Sequence, residues 1–231
     1  MGYSFYEIYT TSQRAFRGMG FPFGADEDAA YIISWLELNK FNGVDIFKNN
    51  IEQLDQQYDG VINIEKNYKK IDFENKSILM KGSSLIDFLN SNIYKNNKIS
   101  ISISNCFNGI LFLPLLYKAN KDIKYLDLTY SKSNKQNYIF KIHDNKVTFN
   151  IEENTTKESD IKITLSNKNF IHRSDSYKEI INEKKIQKNL SKSLTPNENS
   201  WQKISMIANR TFVPESEESR NKGAGGGDAN D

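Results

Sequence analysis

Lys98-Ile-Ser-Ile-Ser-Ile-Ser104 alternates strictly between polar and apolar residues. A period of two fits a pleated strand with one wetted and one buried face, and no helix can use it. Similar runs follow at Ile123 to Tyr130, Gln136 to His143, Lys146 to Glu152 and Asp160 to Leu165, separated by clusters of Asn, Ser, Lys and Asp. Short apolar runs broken by turn-forming residues predict an antiparallel meander. The sharpest turn is His143-Asp-Asn-Lys146, because Asp144 and Asn145 tolerate the left-handed conformation of a two-residue hairpin.

Both ends of the chain carry a helical period instead. Ser4 with Glu7 three residues later is a capping box, and Phe5, Ile8, Ala15 and Phe16 then follow near helical spacing, which predicts a helix over 5–17. The stretch Gly18-Met-Gly-Phe-Pro-Phe-Gly24 cannot continue it. Asp26, Glu27 and Asp28 suit the positive end of a second helix with Ala29, Ile32, Ile33 and Leu36 on one face. A third helix is expected over 45–57 and a short one from Ser83 or Ser84 to Asn90. Residues 177–194 read as either a surface helix or a mobile connection. Thr195 and Pro196 fit the start of a last helix over 196–210. The expected architecture is a single α+β domain over 1–231, with N- and C-terminal helices packed beside a largely antiparallel β-sheet. In it 1–58 is helical, 60–170 mainly β, 178–194 the surface helix or connection, and 195–231 a helix plus a Gly-rich tail.

Composition removes several functional classes. The chain has 231 residues, and 31 Lys and Arg against 29 Asp and Glu leave a net charge of +2, so no field attracts nucleic acid or an acidic membrane. One cysteine, Cys106, excludes an internal disulfide framework, and two histidines, His143 and His172, exclude a His-rich metal site. The N-terminus has neither a basic nor an apolar signal region, and the apolar run Ile110 to Tyr117, with Pro114 inside it, is too short to span a bilayer. A cytoplasmic location without nucleic-acid or membrane partners is therefore expected.

The chain is rich in Lys, Asn and Ile, with 26, 28 and 27 residues, and poor in Arg and Ala, with 5 and 8, the usage of a sequence whose codons drift towards A and T. Yet ten of its Gly, Ala, Arg and Pro residues crowd into 14–30 and ten more into 208–229. Glycine supplies positive φ and close backbone approach, and arginine a planar fork that lysine cannot imitate. The two ends are therefore expected to meet in one site, with Arg17 and Arg210 sharing a pocket or ion-pair network.

These same segments carry a family likeness. Arg17-Gly-Met-Gly20, continuing through Gly24, the acidic helix start and Trp35-Leu36, resembles the opening of an uncharacterised bacterial family, a domain of unknown function found mainly in proteobacteria. The closing stretch Arg210-Thr-Phe-Val-Pro-Glu-Ser-Glu-Glu-Ser-Arg220, with Gly223 to Asp231 after it, is similar to that family's C-terminal signature. The resemblance implies that the tail belongs to the protein, and it implies no activity.

Candidate chemistry follows from these residues. Gly18-x-Gly20-x-x-x-Gly24 misses the dinucleotide fingerprint by one position and follows a helix rather than a strand. Arg17, Gly18, Gly20, Arg210, Arg220 and Gly225 could still cradle an anion through backbone N–H groups and guanidinium forks. Glu215, Glu217 and Asp228 are the candidates for proton transfer. His143 reads as a surface residue, His172 as structural, Cys106 as buried or inert, and Trp35 and Trp201 as packing anchors. Beside a pure small-molecule sensor, two functions remain open. One is a metabolic enzyme acting on a small anionic metabolite, with no cofactor assigned. The other is a non-catalytic assembly or partner subunit, within an oligomer, whose C-terminal segment docks on a protein partner.

Overall fold

The structure is a computed structural model and describes residues 2–64, 69–133, 136–153, 161–168 and 177–212. Three helices open the chain: α1 (Phe5–Gly18), α2 (Ala25–Leu38) and α3 (Gly43–Leu54). At the head of α1 the Ser4 Oγ accepts from the Glu7 amide at 3.1 Å while Glu7 accepts from the Ser4 amide at 2.7 Å, the reciprocal cap that the spacing requires. Helix α3 starts two residues earlier than its apolar spacing suggests. Gly43 lies directly under α2, where the Val44 amide donates to Glu37 at 3.0 Å.

The remaining elements are β1 (Lys70–Asp72), α4 (Ile78–Asn96), β2 (Lys98–Ser104), a 3-10 turn (Gly109–Leu111), α5 (Phe112–Ala119), β3 (Tyr125–Ser133), β4 (Gln136–His143), β5 (Lys146–Glu153), β6 (Ile161–Ser166), β7 (Lys178–Ile181), α6 (Glu183–Leu190) and α7 (Glu198–Ala208), with a 3-10 turn (Asn209–Thr211) after it. Helix α4 is much longer than the short helix expected from Ser83 or Ser84. The Lys81-Gly-Ser-Ser84 sequence reads as a break, but a Cβ on Gly82 would lie 3.0 Å from Leu115, so the glycine serves close packing of α4 on α5. Residues 177–194 form β7 and α6, and the Asn189 side chain donates to the Leu38 carbonyl at 3.0 Å, tying α6 to α2. The cap of α7 is Asn197, two residues beyond Thr195, and it accepts from the Ser200 amide at 3.2 Å.

The strands form one sheet in the order β1-β2-β6-β3-β4-β5-β7. The α+β expectation holds, including the contact of the terminal helices α1 and α7. The meander holds for β3, β4 and β5, whose β4–β5 hairpin turns through Asp144 and Asn145 at φ 48° and 56°. It fails at β6, which inserts between β2 and β3, and at β1, which pairs parallel to β2. Pairing order depends on long-range burial: Ile99, Ile101 and Ile103 stand opposite Leu165, Ile163 and Ile161, and all six are buried. A one-residue slip of β2 would turn its isoleucine row to solvent, and that row is worth several times the roughly 1.5–3 kcal/mol of one buried side chain. Among the described residues no helix is long and apolar enough to cross a membrane.

Candidate functional site

The two chain ends do meet. A Cβ on Gly18 would fall 2.8 Å from the Ile207 carbonyl oxygen and 3.3 Å from the Arg210 Cβ, so a glycine there lets α1 seat on the end of α7. Gly20 and Gly24 have φ of 91° and 87°, which carries the chain from α1 into α2. Arg17 donates through Nε and Nη2 to one Asp26 oxygen at 3.0 and 2.7 Å. The other Asp26 oxygen accepts from the Gly24 and Glu27 amides at 3.0 and 2.9 Å, and Asp26 is fully buried. Arg210 instead binds both oxygens of Asp55 through Nη1, at 2.8 Å each. The two guanidiniums therefore stand on adjoining elements with separate carboxylates, which corrects the expected shared ion-pair network. Arg17 also lies over the Phe23 ring, 4.4 Å from its centroid. Arg220, Gly225, Glu215, Glu217 and Asp228 lie outside the described residues, as does His172.

A cavity of about 560 Å³ opens elsewhere, at the end of β2. After Ser104 the chain turns through Asn105 and Asn108, both left-handed at φ 50° and 60°, and enters the 3-10 turn at Gly109. Gly109 has to be glycine for this loop to close, because a Cβ would lie 2.6 Å from the Tyr130 ring. Strands β3 to β5 supply one wall, since Tyr130 opposes Tyr138 and Phe140 opposes Phe149 in register. The Tyr130 ring is near parallel to Tyr138 and Phe140, at centroid separations of 5.6 and 6.0 Å. Phe149 sits 4.7 Å from Phe140. Phe41 and Ile46, at the corner between α2 and α3, close the far side, with Phe41 edge-on to Phe140. Asn105, Asn108, Ser131 and Cys106 are the polar residues of the lining beside the two tyrosines, and Phe107 stands at the mouth, 62% exposed.

The described lining is neutral near pH 7. Burial pushes the Cys106 thiol up to about 12, and burial together with neighbouring Tyr138 pushes the Tyr130 phenol above its ordinary value. Cys106 is thus neutral at pH 7. A thiol raised from about 9 to about 12 carries roughly a thousandfold less thiolate at pH 8. Iodoacetamide is therefore expected to label Cys106 slowly in the folded protein at pH 8 and rapidly in urea; equal rates would show an ordinary thiol.

Among the described residues singled out from the sequence as candidate site residues, only Cys106 lines this cleft. His143 is on the β4–β5 turn, stacked on Tyr125 at 4.3 Å, and Trp35 and Trp201 are buried packing residues. Tyr138 and Phe140 share a face by strand alternation, a signal present in the sequence. An aromatic row, however, reads the same whether it faces a core or a cavity.

Residues 3–91 match a family model described as a protein of unknown function (DUF3726). The match covers the N-terminal half of the family likeness, and the C-terminal stretch from Arg210 lies beyond it. No curated protein matches the sequence. Solved structures share the fold over nearly the whole chain, three of them as follows. Malate dehydrogenase from Pyrococcus horikoshii OT3 has a TM-score of 0.64 at 9% identity, covering 94% of this chain and 97% of that one. Sulfolactate dehydrogenase from Methanocaldococcus jannaschii has a TM-score of 0.63 at 10% identity, covering 90% and 97%. Malate dehydrogenase from Entamoeba histolytica has a TM-score of 0.61 at 8% identity, covering 93% and 99%. At these identities the likeness is one of fold.

Proposed function

We propose that the protein is a small-molecule binding module whose cleft takes a neutral, planar heteroaromatic ring. The observation that carries this reading is the wall of near-parallel aromatic rings, Tyr130 with Tyr138 and Phe140, beside the amides of Asn105 and Asn108. Flat rings stack on such a wall and amide groups read their polar edges. A dehydrogenase acting on malate or sulfolactate has to hold an anionic group and take up a hydroxyl proton, tasks for a cation and for a base that titrates near neutrality. Among the described residues the cleft lining contains neither. Anion binding at the α1–α7 end would have to displace Asp26 from Arg17 or Asp55 from Arg210, so the neutral cleft is the better supported site.

Thermal denaturation with millimolar 9-methyladenine, nicotinamide or malate tests the reading, because a ligand of the folded state raises the melting temperature by mass action. The neutral rings are expected to stabilise the protein and malate is not. Tyr130→Leu keeps an apolar side chain but removes the ring, and should weaken ring binding roughly five- to hundredfold, given about 1–3 kcal/mol for a stacked base. Stabilisation by malate alone would overturn the proposal.

A further inference from the structure

Asp72 ends β1 where that strand runs parallel to β2, so its carboxylate lies beside the first residue of the cleft loop. One oxygen accepts from the Glu74 amide at 2.7 Å, and the carboxylate also receives the Asn105 Nδ2 at 3.0 and 2.9 Å. The Glu74 amide first, and then the Asn105 side chain, hold the Asp72 carboxyl below its ordinary acidity range, so at neutral pH it is an acceptor only. The same loop is fixed through its backbone, the Asn75 amide donating to the Asn105 carbonyl at 3.0 Å. Behind it Glu74 is anchored by Lys81, a fully buried cation at 3.1 Å that also pairs with Asp59 at 3.4 Å. Turning the Asn105 amide over would put its carbonyl oxygen against a carboxylate. Its NH2 is therefore committed to Asp72, and Oδ1 is the atom left for a ligand.

We infer that Asp72 sets the specificity of the cleft through Asn105, so that the preferred occupant is a heteroaromatic ring with an amino or N–H donor on its edge. The inference rests on the stacking reading of the cleft and adds to it the sense of the polar contact. Asp72 acts through Asn105 and is a positioning residue.

Two rings of nearly equal shape, 9-methyladenine and 6,9-dimethylpurine, differ by an amino donor in place of a methyl group. Their dissociation constants, measured by calorimetric titration, are expected to favour 9-methyladenine by roughly three- to tenfold in the native protein, the worth of one hydrogen bond. In Asp72→Asn the Asn105 amide is free to turn, and the ratio should fall to within about twofold while 6,9-dimethylpurine binds as before. Asn105→Gly, which suits the positive φ, removes the amide itself and should erase the preference equally. An unchanged ratio in both variants would overturn the assignment of Asp72 and Asn105 while leaving stacking intact. Failure of both rings to bind the native protein would overturn the stacking reading and this inference with it.

Discussion

Replacing Gly43 with alanine is expected to lower the stability of the protein by roughly 3 kcal/mol, the upper end of the usual cost of overpacking. The added Cβ would collide with the Ile33 carbonyl oxygen and lie 2.9 Å from the Glu37 amide nitrogen. Both contacts are backbone atoms of α2, so no side chain can swing aside and the whole start of α3 has to move. That movement reaches the cleft, because Phe41 and Ile46 flank Gly43 and form its far side. The urea midpoint should therefore fall far more than for Lys48→Ala on the exposed face of α3, and ring affinity should fall with it. A midpoint equal to that of the Lys48 variant would mean that α2 and α3 are not packed as described.

Arg17→Met should cost about 2–3 kcal/mol, somewhat less than the breakage of a fully buried pair because the arginine is partly exposed. It leaves the fully buried Asp26 carboxylate with two backbone amides and no cation. Asp26→Asn combined with Arg17→Met should recover part of this loss, since the neutral amide can keep an oxygen for Gly24 and Glu27 while no charge is stranded. Arg17→Lys should fall between, because a single ammonium cannot reproduce the Nε and Nη2 pair. Denaturation midpoints of the three variants decide between a structural and a clamping role. If Arg17→Met folds as stably as the native chain, the guanidinium is free for an outside anion and the pairing with Asp26 is unimportant.

The helical ends and the long strands were legible because their signals are local. Ser4 and Glu7 cap α1, the isoleucines of β2 alternate, and Asp144 and Asn145 adopt the left-handed turn they favour. Their order in the sheet was not legible. Whether β6 lies beside β2 depends on which apolar row covers Ile99, Ile101 and Ile103, and several rows in this chain would fit. The crowding of Gly and Arg correctly marked two segments that meet, yet what it reflected among the described residues was backbone approach at Gly18 and internal charge pairing at Arg17 and Arg210. The cleft was missed because its wall is made of Tyr and Phe, residue types that a core also uses. Only the strand register and the turn through Asn105, Asn108 and Gly109 turn those rings into a cavity wall.

Intermolecular nuclear Overhauser contacts between 9-methyladenine and the protein test the stacking cleft most directly. The H2 and H8 protons of the bound ring should show contacts to the ring protons of Tyr130 and Tyr138, and these should vanish in Tyr130→Leu. Contacts to Phe23 at the α1–α2 turn in their place would put the binding site at the arginine-rich end and contradict the account.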